Sequence, residues 1–157
     1  MSSWLLFATA LASALMGGVF FAFSSFIMPA LGRIPPEDGI RAMQRINIDV
    51  LHWSFLVPFV GTPIACVALA AQAIWHWNEP GAIYCVVGGA VYLFGTFIVT
   101  AAGNVPLNNA LAKVKADAVD AARAWDEFAI GWTRWNHVRT VASMAAAGAF
   151  AAALATA

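Results

Sequence analysis

The sequence is short of charge. Of 157 residues, 8 are basic and 8 acidic, a charged fraction of 10% with a net charge of zero, against 62% hydrophobic residues. Soluble domains carry about a quarter charged residues, and so few cannot coat a water-exposed body of this size. There is no basic surplus to displace counterions from phosphates, which excludes a nucleic-acid binder. The wealth of apolar residues excludes a disordered chain. Cysteine is scarce too, limited to Cys66 and Cys85. No Cys-x-x-Cys pair, metal-finger spacing, glycine-rich phosphate loop or Gly-x-Ser-x-Gly elbow occurs, so the commonest zinc, nucleotide and serine-hydrolase signatures are absent. The length allows one domain, 1–157.

The apolar residues fall in four runs. Residues 4–31, 50–77 and 82–103 hold no Asp, Glu, Lys or Arg, and 136–157 holds Arg139 alone. Each reaches the roughly 20 residues that cross a bilayer. In lipid only helices and closed barrels satisfy their own backbone groups, and a barrel alternates apolar and polar residues. These runs do not alternate. The predicted fold class is therefore all-α, an integral membrane bundle of four transmembrane helices with a cytoplasmic amphipathic helix between spans three and four. The first run contains an Ala-x-Ala pattern but lacks the basic start of a signal peptide and far exceeds its short apolar region, so it reads as a retained helix.

Basic residues set the orientation. Arg33, Arg41 and Arg45 lie in loop 32–49, and Lys113, Lys115, Arg123 and Arg134 in loop 104–135, while the second loop and both tails have none. This bias predicts cytoplasmic first and third loops and extracytoplasmic termini in a multi-pass protein of a bacterial inner membrane. In the third loop Leu107, Leu111, Val114, Ala118, Ala121, Ala122 and Trp125 recur at helical spacing, which predicts the amphipathic helix, with a continuation into the fourth span as an alternative. A shorter helix is predicted after Pro35-Pro36, where Glu37 and Asp38 suit the helix dipole, with a continuation from Gly39 through Asn47 into the second span as an alternative. Ala10, Ala14 and Gly18 in span one, beside Ser13 and Gly17, and Gly88, Gly95, Thr96 and Gly103 in span three, read as packing seams. Pro58 and Pro63 predict a kink in span two. Cys66 and Cys85 differ in depth by roughly 10 Å when counted along helices, too far for a disulfide, so both are expected as free thiols.

Polar residues are costly inside membranes, so their clustering carries information. Ser24 and Ser25, Gln44, Asn47 and His52, Thr100, Asn104, Asn108 and Asn109, and Trp132 to Thr140 all gather at the ends assigned to the cytoplasm. On a helical wheel Trp132, Trp135, Asn136, Arg139, Thr140 and Ser143 share a sector of about 140°, with His137 at its edge. The ordinary reading is that Arg139 snorkels to the headgroups and His137 bonds a neighbour. The proximity of Asn104, Asn108 and Asn136 favours a pocket instead. In it His137 can take a proton near neutral pH, Arg139 can hold an anion, the asparagines can orient oxygen atoms, and Trp132 and Trp135 can stack on a flat ring.

The motifs GVFFAFSSFIMPAL (Gly18–Leu31), PPEDGIRAMQRIN (Pro35–Asn47), NVPLNNAL (Asn104–Leu111) and WTRWNHVRT (Trp132–Thr140) together resemble the anthrone oxygenase-like family of small membrane proteins. The resemblance runs in the same order along nearly the whole chain, and it is to the bacterial branch. Fungal members of that family convert anthrones to anthraquinones with molecular oxygen. The resemblance implies a compact four-helix membrane protein and carries Asn104, Asn108, Trp132, Trp135, Asn136, His137 and Arg139 over as residues of interest.

Three readings of function follow. In the first, a membrane monooxygenase acts with O2 and no cofactor on an apolar polycyclic phenol. His137, Arg139, Asn136 and Asn104 are its catalytic residues, with His137 as base and the others holding the oxyanion. Trp132, Trp135, Asn108, Asn47 and Ser24 bind the ring. In the second, His52 and His137 ligate haem or a single Fe or Cu ion. In the third, the chain is a non-enzymatic ligand-binding or scaffold protein. Four helices enclose little polar interior, so a homo-oligomer is also expected. The partners in the first reading are the lipid bilayer, an aromatic small molecule and O2.

Overall fold

The fold is that of a computed structural model, which describes residues 2–156. Those residues form five helices and no strand: α1 (Ser3–Leu31), α2 (Pro36–Asp49), α3 (Trp53–Trp75), α4 (Ala82–Leu111) and α5 (Ala121–Ala155). All but α2 are long and apolar enough to cross a membrane. Their outward faces are studded with exposed Leu, Ile, Val and Phe side chains, as a helix surface bathed in lipid requires. The protein is a helical membrane bundle.

The central helix is α5. It packs against α1 on one side and α4 on the other, while α3 packs against α4 and α1 and makes little contact with α5. The span helices therefore enclose two different regions. Toward the termini the core is apolar and dense, built from Leu6, Met16, Leu69, Tyr92, Phe150 and their neighbours. Both cysteines lie buried there as free thiols, as expected. At the other end Ile40 and Met43 of α2 press onto Leu111, Trp125 and Phe128. Close approach depends on missing side chains. A Cβ on Gly39 would come 2.9 Å from the Trp125 ring, one on Gly95 2.5 Å from Ala142 Cβ, and one on Gly103 2.8 Å from Trp135. The expected glycine seam of α4 thus meets α5. The seam of α1 runs along Thr9, Ser13, Met16 and Gly17, which keeps the expected Ser13 and Gly17, while Ala14 and Gly18 face outward. Small residues occur on both faces of α1, so their spacing alone does not pick the buried one.

Two boundaries differ from the sequence reading. The loop 104–135, with its own amphipathic helix, is divided between its neighbours: 105–111 completes α4, 121–135 opens α5, and only 112–120 form turns. Gln44 of α2 explains the first break. Its Nε2 donates to the carbonyls of Leu111 (2.9 Å) and Val114 (3.0 Å), satisfying acceptors left open at a helix end. Asp117 and Asp120 supply poor helix formers before α5 restarts. Likewise α2 does not run into α3. His52 sits in extended geometry as the N-cap of α3, its Nδ1 accepting from the Ser54 backbone N–H.

At about 1.5 Å per residue, α5 is about 52 Å long, against a hydrocarbon core of about 30 Å. Its first third therefore stands beyond the core, beside α2 and the basic residues. The opposite end carries the chain termini and the left-handed Gly81 (φ 86°), which packs against Ala153 and Thr156.

Candidate functional site

Three stretches of the spans widen to π-helical hydrogen bonding: Phe23–Ile27 in α1, and Leu93–Ile98 and Thr100–Asn104 in α4. Such turns are rare and concentrate at functional sites. All three face the same part of α5, from Trp132 to Ser143. There Thr96 Oγ1 and Ser143 Oγ lie 2.8 Å apart, and Asn104 Nδ2 donates to the Trp132 carbonyl at 3.1 Å.

Asn136, with 0% exposure, is the hub. Its Nδ2 donates to the Phe20 carbonyl and to Ser24 Oγ, each at 2.7 Å, and its Oδ1 accepts from Arg139 Nη2 at 2.6 Å. Arg139 is 5% exposed. Its Nη1 donates to Thr100 Oγ1 at 3.3 Å, and its guanidinium carbon lies 4.3 Å from the centre of the Phe20 ring and 5.1 Å from that of Trp132. Aromatic faces of this kind stabilise a desolvated cation by about 2 kcal/mol. Among the described residues Arg139 forms no ion pair, and its Nε has no hydrogen-bond partner. The Nε1 of Trp132 and the Oδ1 atoms of Asn104 and Asn108 are also buried without partners.

Arg139, Trp132, Thr100 and Asn108 border a cavity of about 170 Å³ between α3 and α5. Arg139 and Trp132 form one wall, Thr100, Val105 and Asn108 of α4 another, and Phe20 and Phe23 of α1 a third. The remaining wall is α2 and α3, from Asn47 through Leu51 and Phe55 to Phe59, the stretch that holds Pro58. Leu51 is 65% exposed, so the cavity reaches the bundle surface at the α2–α3 junction. A second hollow of about 380 Å³ shares Asn47, Leu51, Val105 and Asn108 with the first and continues past Gln44 and Asn109.

The sequence-predicted residues separate into three groups. Arg139, Trp132, Asn108 and Asn47 line the cavity. Asn136, Ser24 and Asn104 stand behind its wall, holding Arg139 and the backbone beside Trp132. His137, Trp135 and His52 do not converge on it: His137 is exposed on α5, Trp135 is 46% exposed and packs over Gly103, and His52 caps α3. No His, Cys, Asp or Glu group of three gathers among the described residues, and neither histidine borders the cavity. The geometry thus gives a base at His137, or a metal shared by His52 and His137, no support from this cavity. Sequence reasoning left Phe20, Phe23, Phe55 and Phe59 out of the site. Apolar rings in apolar runs carry no signal until the helices are placed.

No curated protein and no solved structure matches the chain. The family described as anthrone oxygenase matches residues 53–149, more than half of the chain, covering α3, α4 and most of α5 with Thr100, Asn108, Trp132, Asn136 and Arg139. The chain belongs to the anthrone oxygenase family.

Proposed function

We propose that the protein is a membrane oxygenase that oxidises a hydroxylated aromatic substrate with O2 in the Arg139 cavity. One observation carries the reading: a buried guanidinium without a carboxylate partner borders a cavity whose other walls are largely aromatic and aliphatic. An uncompensated cation in such surroundings is costly and attracts a ligand anion. Its field favours the ionised form of an acidic phenol or enol bound beside it. No carboxylate or imidazole lines the cavity, so the substrate proton leaves to water through the hollow lined by Gln44, Asn47 and Asn109. The electron-rich anion then reduces O2 and forms a carbon–oxygen bond. The peroxide anion takes a proton back from water, and the hydroperoxide then loses its carbon-bound hydrogen and its outer oxygen as water, leaving one oxygen atom in a new carbonyl and the other in the water released. Arg139 stabilises the charge on the ring oxygen, and Asn136 fixes the guanidinium.

We further propose that the basic end, and with it the cavity mouth, faces the cytoplasm. The test of the reaction is oxygen consumption by protein in lipid nanodiscs given a hydroxylated anthrone. Wild type consumes O2, Arg139→Met falls by about 100-fold or more, and His137→Ala is unchanged. Arg139→Met at the wild-type rate would overturn the proposal. Saturable binding without oxygen consumption would instead make the protein a binding protein.

A further inference from the structure

The cavity beside Arg139 does not stand alone. It measures about 170 Å³, and the hollow next to it about 380 Å³. A cavity of about 150 Å³ holds a single benzene ring, so the inner space takes one ring and the outer roughly two. Four residues line both spaces: Asn47, Leu51, Val105 and Asn108. The two spaces therefore meet between them. Asn47 and Leu51 stand four apart where α2 gives way to the α2–α3 junction, and Val105 and Asn108 stand three apart on α4. Such spacings make each pair neighbours on one side of its turn. The meeting place is a neck between two turns, one from each side of the hollow.

The neck is held from outside. Gln44 stands three residues before Asn47, and its Nε2 donates to the carbonyls of Leu111 and Val114, three and six residues past Asn108. These bonds tie α2 to the end of α4 beside the neck. The two apolar members, Leu51 and Val105, are 65% and 40% exposed, so neither serves the packing of the core. No charged residue lines the outer hollow, although Arg45 and Lys113 adjoin its residues Gln44 and Ala112 in sequence. A space of that kind suits an uncharged body of rings and not the phosphate of a lipid headgroup.

We propose that Val105 is the specificity-determining residue of the site. A ligand of more than one ring lies across the neck. Its ionised, oxygen-bearing ring occupies the inner cavity beside Arg139, its uncharged remainder occupies the outer hollow, and Val105 sets what fits between. This rests on the reading of the cavity as the substrate site and adds the residue that selects among substrates.

The test compares the binding of phenol and 2-naphthol, one ring against two, to protein in nanodiscs, with empty nanodiscs as the blank. Val105→Phe narrows the neck. Ala112→Phe fills the outer hollow from a residue that is exposed and does not line the inner cavity. Each is expected to weaken naphthol by about tenfold or more, as overfilling a fitted space does, and to change phenol several-fold less. The ratio of the two affinities decides, because a distorted bundle lowers both together. Where Val105→Phe binds neither ligand, the smaller Val105→Leu is read by the same ratio. An unchanged ratio at either position would overturn the proposal, as would a lack of saturable naphthol binding by the wild type. Oxygen consumption is measured separately on a hydroxylated anthrone. The expected shifts in ratio without consumption would sink the oxygenase and leave this inference standing. Consumption with unchanged ratios would do the reverse.

Discussion

At the scale of single residues, the site turns on the difference between Asn136 and Arg139. Asn136 makes three hydrogen bonds to three other residues at 0% exposure. Arg139 makes two and leaves Nε open. Replacing the asparagine by leucine leaves the Phe20 carbonyl, the Ser24 hydroxyl and a buried guanidinium short of partners. That is expected to cost about 2–4 kcal/mol. Replacing Arg139 by methionine removes the desolvated charge along with its bonds and retains an unbranched chain between Phe20 and Trp132. The exchange orphans Asn136 Oδ1, a loss of about 1–3 kcal/mol, and relieves the similar cost of a desolvated charge that has no counter-ion, so the two offset. Thermal unfolding in detergent, followed by tryptophan fluorescence, should therefore show a lowered Tm for Asn136→Leu and a nearly unchanged Tm for Arg139→Met. The opposite order would make Arg139 a structural strut and remove the reason to call it functional. The stripe holding both residues was legible in sequence because they stand three apart on one helix. The exclusion of His137 was not legible. One residue from Asn136 means a turn of about 100° around the axis, and the wheel leaves a residue at the sector's edge undecided until α1 and α4 fix which side is inside.

At the scale of elements, the four spans were legible because lipid imposes one requirement on every residue of a run, and charge-free runs meet it visibly. Their ends were less so. Asn104 and Asn136 read as places where helices leave the membrane, yet α4 and α5 continue through them because the partners come from other helices: the Trp132 carbonyl for Asn104, the Phe20 carbonyl and Ser24 for Asn136. The break after Leu111 depends on Gln44, 67 positions away in sequence, which no local pattern reveals. That amide ties α2 to the end of α4 with two bonds, and α2 supplies Asn47 and the rim of the cavity. Gln44→Leu removes both bonds and should release 112–120 without unfolding the spans. With about 2 kcal/mol lost locally, tryptic cleavage at Lys113 or Lys115 should quicken by roughly 30-fold. Cleavage at the wild-type rate would show that the packing of Ile40 and Met43 alone holds this end.

At the scale of the whole molecule, the charges and the cavity share one end. With four spans the termini lie together, the Ser2 backbone N–H reaching Gln72 Oε1 at the end of α3 and Thr156 lying against Gly81. The basic loops, α2 and the cavity mouth lie at the other end. Because α3 leans on α1 and α4 rather than on α5, the cavity beneath its first turns opens sideways at Leu51 as well as toward the basic end. In the proposed reaction, a greasy substrate dissolved in that leaflet would have a short path to Arg139, and its proton a polar hollow behind Asn47. Which leaflet this is follows from the basic bias, and it can be measured. In a Cys66→Ala, Cys85→Ala background, single cysteines at Ser2 or Thr156 should react with a membrane-impermeant maleimide added outside intact cells, whereas one at Asp117 should react only after lysis. The reverse pattern would place the cavity mouth in the outer leaflet. The substrate would then have to be one supplied from outside the cell.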